Sequence, residues 1–225
     1  MPAARGFRTA LSGQTRLAVI GEIKRRSPSK GALRADLDPA WLAEQYEAGG
    51  ATCLSVLTDE EFFGGSVADL QIARAACSLP VLRKDFTVSA HDVVDARLMG
   101  ADCVLLIAAA MRSCQLADLH SLATELGLDV LVEIHDEAEL EAALHAGARL
   151  IGVNQRDLVT FEVDHERARR MAESIPSGIL KVAESGVRGR DDARALHAAG
   201  YHAVLVGETL VRAGDPAAMV SELIG

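Results

Sequence analysis

Six polar residues interrupt runs that are otherwise apolar: Glu22 and Lys24 in AVIGEIK, Lys84 in PVLRKDF, Glu133 in DVLVEIH, Asn154 in RLIGVN and Glu184 in ILKVAES. Side chains alternate between the two faces of an extended strand. Glu22 and Lys24 therefore share a face with Ile20, Lys84 with Leu82 and Phe86, and Glu133 with Leu131 and His135. Asn154 aligns with Gly152, Glu184 with Leu180 and Val182, and Gly207 with Leu205. Any one of these charges alone reads as an ordinary strand end in water. Six on the same parity read as a set that converges. Burying a lone charge is costly, so charges gathered in one place must pair with each other or with a ligand. Two lysines among three glutamates stay protonated. A protonated Lys can give a proton to a carbonyl oxygen or a leaving hydroxyl, and a Glu can accept one. Schiff-base chemistry is the other option for a Lys, and it favours less anionic surroundings.

Two short segments suit an anion. Glu184-Ser185-Gly186 and Gly207-Glu208 follow apolar runs, and glycine lets backbone N–H groups approach a phosphate. Ser185 can add a hydroxyl donor and Lys24 a charge; a tight turn is the plain alternative. Arg156 is a further candidate for an anionic group, or a solvated loop residue. His135 reads as a neutral strand-end filler and the other histidines as surface residues. Lys24-Arg25-Arg26 is too short to mark a nucleic-acid footprint.

The elements that must position these residues repeat along the chain. An Ala-rich helical stretch ends in Gly, and a short apolar run follows. Met99-Gly100 precedes DCVLLI, Ala146-Gly147 precedes RLIGVN, Ala199-Gly200 precedes HAVLVG, and Ala48-Gly49-Gly50 precedes TCLSVLT. Glycine suits the left-handed residue that ends a helix. A short apolar run with few polar breaks is a strand buried on both faces, hence parallel. Eight strands are expected to begin near Ala18, Thr52, Pro80, Asp102, Asp129, Arg149, Ile179 and Ala203. Helices are expected near 39–49, 66–76, 89–99, 112–126, 136–146, 164–173, 189–199 and 215–223. Asp38-Pro39 and Asp215-Pro216 place Pro at a first helical position, and Ser89 and Ser113 are candidate N-caps. Eightfold βα alternation in this length is the pattern of an α/β TIM (β/α)8 barrel, whose site lies at the C-terminal strand ends. An open doubly wound sheet is less fitting, because no Gly-rich phosphate loop follows the first strand. We read residues 1–225 as a single barrel domain, with 1–17 as a short segment carrying only a weak apolar cluster at Phe7 and Leu11.

Composition agrees. Hydrophobic residues make up 49% of the 225 but aromatics only 4%, so the core must be Leu, Val, Ile and Ala, as in packed parallel strands and helices. The formal charge of −9 excludes a broad nucleic-acid surface and requires a local positive patch for an anionic substrate. Cys53, Cys77, Cys103 and Cys114 show no CxxC pair and read as buried thiols, with no metal site. No apolar run is long enough to span a membrane, so the expectation is a cytoplasmic protein with no membrane partner.

The segment IGEIKRRSPSKG (20–31) resembles the first strand and loop of indole-3-glycerol phosphate synthases. The resemblance continues in order through SVLTDEEFFGGS (55–66), LPVLRKDF (79–86), ADCVLLIAA (101–109), LVEIHDEAEL (131–140), IGVNQRDLVTFEVD (151–164), VAESGV (182–187) and AVLVGETL (203–210). It implies closure of an indole ring, with loss of CO2 and water from 1-(2-carboxyphenylamino)-1-deoxyribulose 5-phosphate. It implies no cofactor and no metal. By resemblance, Lys84 is the general acid at the substrate ketone. Glu133 takes part in proton transfer. Lys24 holds the anthranilate carboxylate and protonates the leaving hydroxyl. Glu22, Asn154 and Glu184 position substrate hydroxyls and the lysines. Ser27, Ser185, Gly186 and Gly207 form the phosphate site, and Pro28, Phe63 and Phe86 line the ring. The partner implied is a small phosphorylated substrate, bound by a monomer or weak homodimer.

Three positions depart from the family pattern. The family usually carries a longer N-terminal extension over the barrel mouth, and here it is expected to be shortened. Gln155 replaces a small polar residue or Asn. Glu208 stands where Ser is frequent, so its backbone N–H is expected to face the phosphate with the side chain turned away. Two other readings compete. Phosphoribosylanthranilate isomerase shares the barrel but uses a Cys base at strand one, where this chain has Glu22 and Lys24. A phosphometabolite-binding barrel without turnover is the second.

Overall fold

The computed structural model describes residues 3–157 and 160–225. Residues 158–159, within the 151–164 motif, and 1–2 of the N-terminal segment lie outside them. Eight parallel strands close into a barrel: β1 (Ala18–Ile23), β2 (Cys53–Leu57), β3 (Val81–Lys84), β4 (Cys103–Ile107), β5 (Asp129–Ile134), β6 (Leu150–Asn154), β7 (Leu180–Glu184) and β8 (Ala203–Val206). Each pairs with its sequence neighbours, and β8 closes the ring on β1 with Ala18 opposite Ala203. Every strand starts within a residue of its sequence expectation.

The helices α1 (Phe7–Ser12), α2 (Pro39–Ala48), α3 (Val67–Ala76), α4 (Ala90–Met99), α5 (Ser113–Glu125), α6 (Glu137–His145), α7 (His165–Ser174), α8 (Arg190–Ala198), α9 (Glu208–Val211) and α10 (Pro216–Ile224) follow from local chemistry. Asp38 and Asp215 cap α2 and α10 ahead of their N1 prolines. Ser89 and Asp92 form a reciprocal capping box on α4. The Ser113 expectation fails: Arg112 occupies the N-cap position without a side-chain cap, and Ser113 is the first helical residue. Gly100 ends α4 in the left-handed conformation at φ 96°, which a Cβ would disfavour.

Burial separates two cores. The larger lies between the barrel and its helices and includes Val19, Val56, Leu106, Val132 and Ile151. The smaller fills the barrel interior with Ile20, Cys53, Leu82, Leu105, Leu131 and Val182, and it includes Phe7 and Leu11 of α1. The weak cluster of the sequence is thus a plug. It sits at the N-terminal ends of the strands, opposite the mouth, and each side chain contributes roughly 1.5–3 kcal/mol by leaving water. Arg5 ties the plug down: its backbone N–H donates to Asp102 Oδ1 at 2.9 Å and its guanidinium to the carbonyls of Arg74, Cys77 and Leu79. Among the described residues, none before β1 covers the mouth. Cys53, Cys77 and Cys103 are buried as expected, but Cys114 is exposed on α5, because it lies on the outward side of that helix.

Candidate active site

Inward parity holds through the ring. Glu22, Glu133, Asn154 and Glu184 are buried, and with Lys24 and Lys84 they line one cavity of about 650 Å³ at the C-terminal strand ends. Two glycines make the packing possible. A Cβ at Gly152 would lie 3.1 Å from Glu184 Cδ and collide with its Oε1. A Cβ at Gly207 would lie 2.9 Å from Lys24 Nζ and collide with Glu22 Oε1. Strands β6 and β8 therefore give up side chains so that neighbouring carboxylates can point inward.

Lys84 is the centre of the charge array. Its ammonium lies 3.2 Å from Glu133 Oε2 and 3.7 Å from Glu184 Oε2. Burial pulls its pKa down, but the charges of Glu133, Glu184 and Glu22 outweigh that and hold it above the ordinary lysine value. The strand on either side is fixed from behind: Arg83, facing outward, bonds Thr58, Asp85 and the carbonyl of Asp92. A second pair, Lys24 and Glu22, lies at 2.5 Å. Tyr46 pins that strand by donating to the Glu22 carbonyl at 3.1 Å. Its ring occupies the space beside Gly21, where a Cβ would collide.

The two central glutamates titrate in opposite directions. Burial raises Glu133, but Lys84, the Asn154 amide and His135 outweigh it and leave its pKa low. Burial and the charge of Glu133 push Glu184 well up. Two carboxyl groups side by side in one buried site are thus driven toward opposite protonation, with Glu184 Oε1 unpartnered among the described residues.

Asn154 is oriented by its neighbours. Its Nδ2 donates to Glu133 Oε1 at 3.0 Å, while its Oδ1 accepts from Ser185 Oγ at 2.9 Å and from the Arg156 N–H at 3.0 Å. Ser185 therefore commits its hydroxyl to Asn154. Gln155, the unusual position, is buried and donates to the Ser185 carbonyl at 2.7 Å. That bond helps hold Ser185 and Gly186 at φ 66° and 76°, strained for Ser and free for Gly. Glu208 opens α9, with its carboxylate 3.8 Å from Arg212 along the helix.

The structure brings all of the expected site residues to this cavity: Lys84, Glu133, Lys24, Glu22, Asn154, Glu184, Ser27, Ser185, Gly186, Gly207, Glu208, Arg156, Pro28, Phe63 and Phe86. Phe86 meets Phe62 edge-on at 6.1 Å and Phe63 at 6.4 Å, an aromatic wall on one side. Sequence reasoning missed Lys30, His165, Arg188, Thr209 and Arg212, which also line it. Arg188 and Arg212 follow the two glycine turns within a few residues, a signal that was there to be used. Lys30 comes from the hairpin of 26–27 with 31–32, and no periodicity announces it. His165 is exposed, as expected of the lesser histidines, and its ring also borders the cavity beside Gly186. Arg25 and Arg26 are held by Asp69 and by the carbonyls of Glu60 and Glu61, so the basic run is local structure. No group of three His, Cys, Asp or Glu side chains is placed to hold a metal among the described residues. Nor is any helix there long and apolar enough to cross a membrane.

Comparison with known proteins agrees with this geometry. The family model for indole-3-glycerol phosphate synthase matches residues 1–223. Indole-3-glycerol phosphate synthase 2 of Streptomyces coelicolor is 53% identical over 224 residues, covering 100% of this chain and 86% of that protein. The indole-3-glycerol phosphate synthase of a Parafrankia species is 54% identical over 209 residues, covering 93% and 78%. Among solved structures, a thiamine phosphate pyrophosphorylase from Pyrococcus furiosus superposes with a TM-score of 0.68 at 19% identity, over 92% of this chain and 93% of that one. A native KDPGal structure does so at 0.64 and 17%, over 94% of each. These two share the fold alone. The chain belongs to the indole-3-glycerol phosphate synthase family.

Proposed function

We propose that the chain closes the indole ring of 1-(2-carboxyphenylamino)-1-deoxyribulose 5-phosphate with the residues gathered at its mouth, acting as a carboxy-lyase of tryptophan biosynthesis. The observation that carries this is the Lys84 ammonium held between Glu133 and Glu184. As the ring carbon bearing the carboxylate attacks the ketone, Lys84 Nζ gives its proton to the ketone oxygen, which becomes a hydroxyl. Loss of CO2 restores the aromatic ring. Lys24 then protonates the departing hydroxyl, which leaves as water, and Glu133 takes a proton from the methylene carbon next to nitrogen. General acid and base steps of this kind contribute roughly 10²–10⁴-fold each. Asn154 and Glu184 hold Glu133 and Lys84 in place. Phe63, Phe86 and Pro28 bear on the aromatic ring. Gly186, Gly207, Ser27 and the backbone of Glu208 face the phosphate, and the Glu208 carboxylate turned toward Arg212 supports that reading. Arg156 is a further contact for an anionic group.

The protein is read as one barrel domain acting in the cytoplasm as a monomer or weak homodimer, with the phosphorylated substrate as its partner and no nucleic acid. Supporting this, its net charge is −9. The test is direct: add the substrate and follow indole fluorescence. Wild type gives signal and Lys84→Ala does not. Binding without signal in the wild type supports the non-catalytic barrel instead.

A further inference from the structure

The proposed cycle leaves one charge unaccounted for. Once Lys84 has given up its proton, Glu133 faces a neutral amine and a raised acid, and its next task requires it to remain a carboxylate. Lys24 is engaged with Glu22 on the far side of the mouth. A buried carboxylate without a cation protonates and ceases to be a base.

One basic side chain not used so far faces Glu133. His135 follows β5 two residues after Glu133, on the same parity. Its Nε2 is buried, has no hydrogen-bond partner among the described residues, and points at Glu133 Oε1 from 3.7 Å. Its Nδ1 lies 3.0 Å from Glu139 Oε2, and the same oxygen accepts the His135 backbone N–H at 2.7 Å. Glu139 sits in the first turn of α6, whose N-cap Asp136 accepts the Glu139 N–H at 2.9 Å. The ring is thus oriented from behind by a carboxylate, with its second nitrogen aimed at the proposed base. Carboxylate–imidazole pairs of this geometry fix the tautomer and favour the imidazolium. The distance is too short to admit a water and long enough to close by a few tenths of an ångström when Lys84 lets go.

We propose that the Glu139–His135 pair is a positioning device that supplies the second positive charge on Glu133, keeping it a base while Lys84 is neutral. This rests on the roles given above to Lys84 and Glu133. The charged groups facing His135 are Glu133 on β5, Glu139 on α6 and Arg167 on α7. Burial lowers its pKa and Arg167 opposes protonation, but the two glutamates win and hold it above the ordinary histidine value. The sequence reading of a strand-end filler is replaced by a ring held between two carboxylates.

Three variants test this, with kcat and KM followed by indole fluorescence across pH. His135→Gln is expected to move the acidic fall of kcat to higher pH, lowering kcat about 10-fold for each pKa unit that Glu133 rises at pH values below its new pKa, with KM unchanged. His135→Lys keeps a cation, retains most of kcat, and moves the alkaline fall of kcat to higher pH. Glu139→Gln removes the anchor without touching the site and moves that fall to lower pH. Equal kcat for His135→Gln and wild type at every pH overturns the inference, as does a loss in His135→Lys as deep as in His135→Gln. Circular dichroism separates misfolding from the effect. An inactive wild type would instead overturn the underlying functional reading.

Discussion

Adding one methyl group at Gly152 tests whether Glu184 belongs to the machinery. Gly152 lies within β6 at a backbone conformation an alanine adopts freely, so Gly152→Ala removes unfolded-state entropy and stabilises by about 0.4–1 kcal/mol on that count. The new Cβ would stand 3.1 Å from Glu184 Cδ, 3.3 Å from Leu131 Cδ1 and inside the contact distance of Glu184 Oε1. The carboxylate must then swing by on the order of 1 Å toward the open cavity, away from its 3.7 Å approach to Lys84. A misplacement of that size costs roughly 10²-fold in rate, or about 2.7 kcal/mol of transition-state stabilisation. Stability and activity should separate. The melting temperature stays within a few degrees of wild type, while kcat by indole fluorescence falls about 100-fold. Shortening the displaced side chain makes the room that the methyl group took, so Gly152→Ala with Glu184→Asp should recover part of the loss relative to Gly152→Ala alone. Unchanged kcat in Gly152→Ala would refute the reasoning, because the carboxylate that must give way to the methyl group would then be dispensable.

Other expectations follow from the same geometry. Lys84→Ala should slow turnover by about 10²–10⁴-fold and Glu184→Gln by less; the reverse order in steady-state kinetics would mean that the acid has been misassigned. Glu184 titrates above its unfolded value, so its contribution to stability is complete below about pH 4.3 and declines as pH rises toward the folded pKa. Glutamine stays neutral throughout, so thermal melts should show Glu184→Gln gaining on wild type between pH 5 and pH 8, and a flat difference would remove the neutral-acid reading. At the other end of the barrel, Asp102 is fully buried and accepts from the backbone of Arg5 and Val81 and from Arg74. Asp102→Ala strands a buried guanidinium and should cost about 3–5 kcal/mol in chemical denaturation, yet leave kcat near wild type at low temperature.

Most of the barrel was legible because the periods were clean. A doubly buried strand is short, apolar and followed by a capped helix, so each strand start could be read to within a residue. The inward set was legible for the same reason: Glu22, Lys84, Glu133, Asn154 and Glu184 break an apolar alternation at its last turns. What the sequence hid was contact between elements distant along the chain. Ser185 reads as a free hydroxyl until Asn154 is seen to take it. His135 reads as filler until Glu139, one helical turn on, is seen behind it. Phe7 and Leu11 lie in a six-residue helix too short for a periodic signal, and their burial depends on strands from the whole ring. Lys30 reaches the cavity from a short hairpin turn that no repeat describes, and His165 from the first residue of α7.

The α1 plug has a consequence for the order of assembly. Phe7 and Leu11 precede every strand in the chain, yet the interior cluster that they complete includes Ala203 and Leu205 of β8, made last. That cluster is complete only when β8 has zipped onto β1 through the Ala18–Ala203 register. During synthesis the plug must wait, with two large apolar side chains in water, until the chain's other end arrives. Seating of α1 is therefore a report that the ring has closed. A protease that cuts near residue 12 would read that event directly, with the site vanishing at the moment the last strand docks.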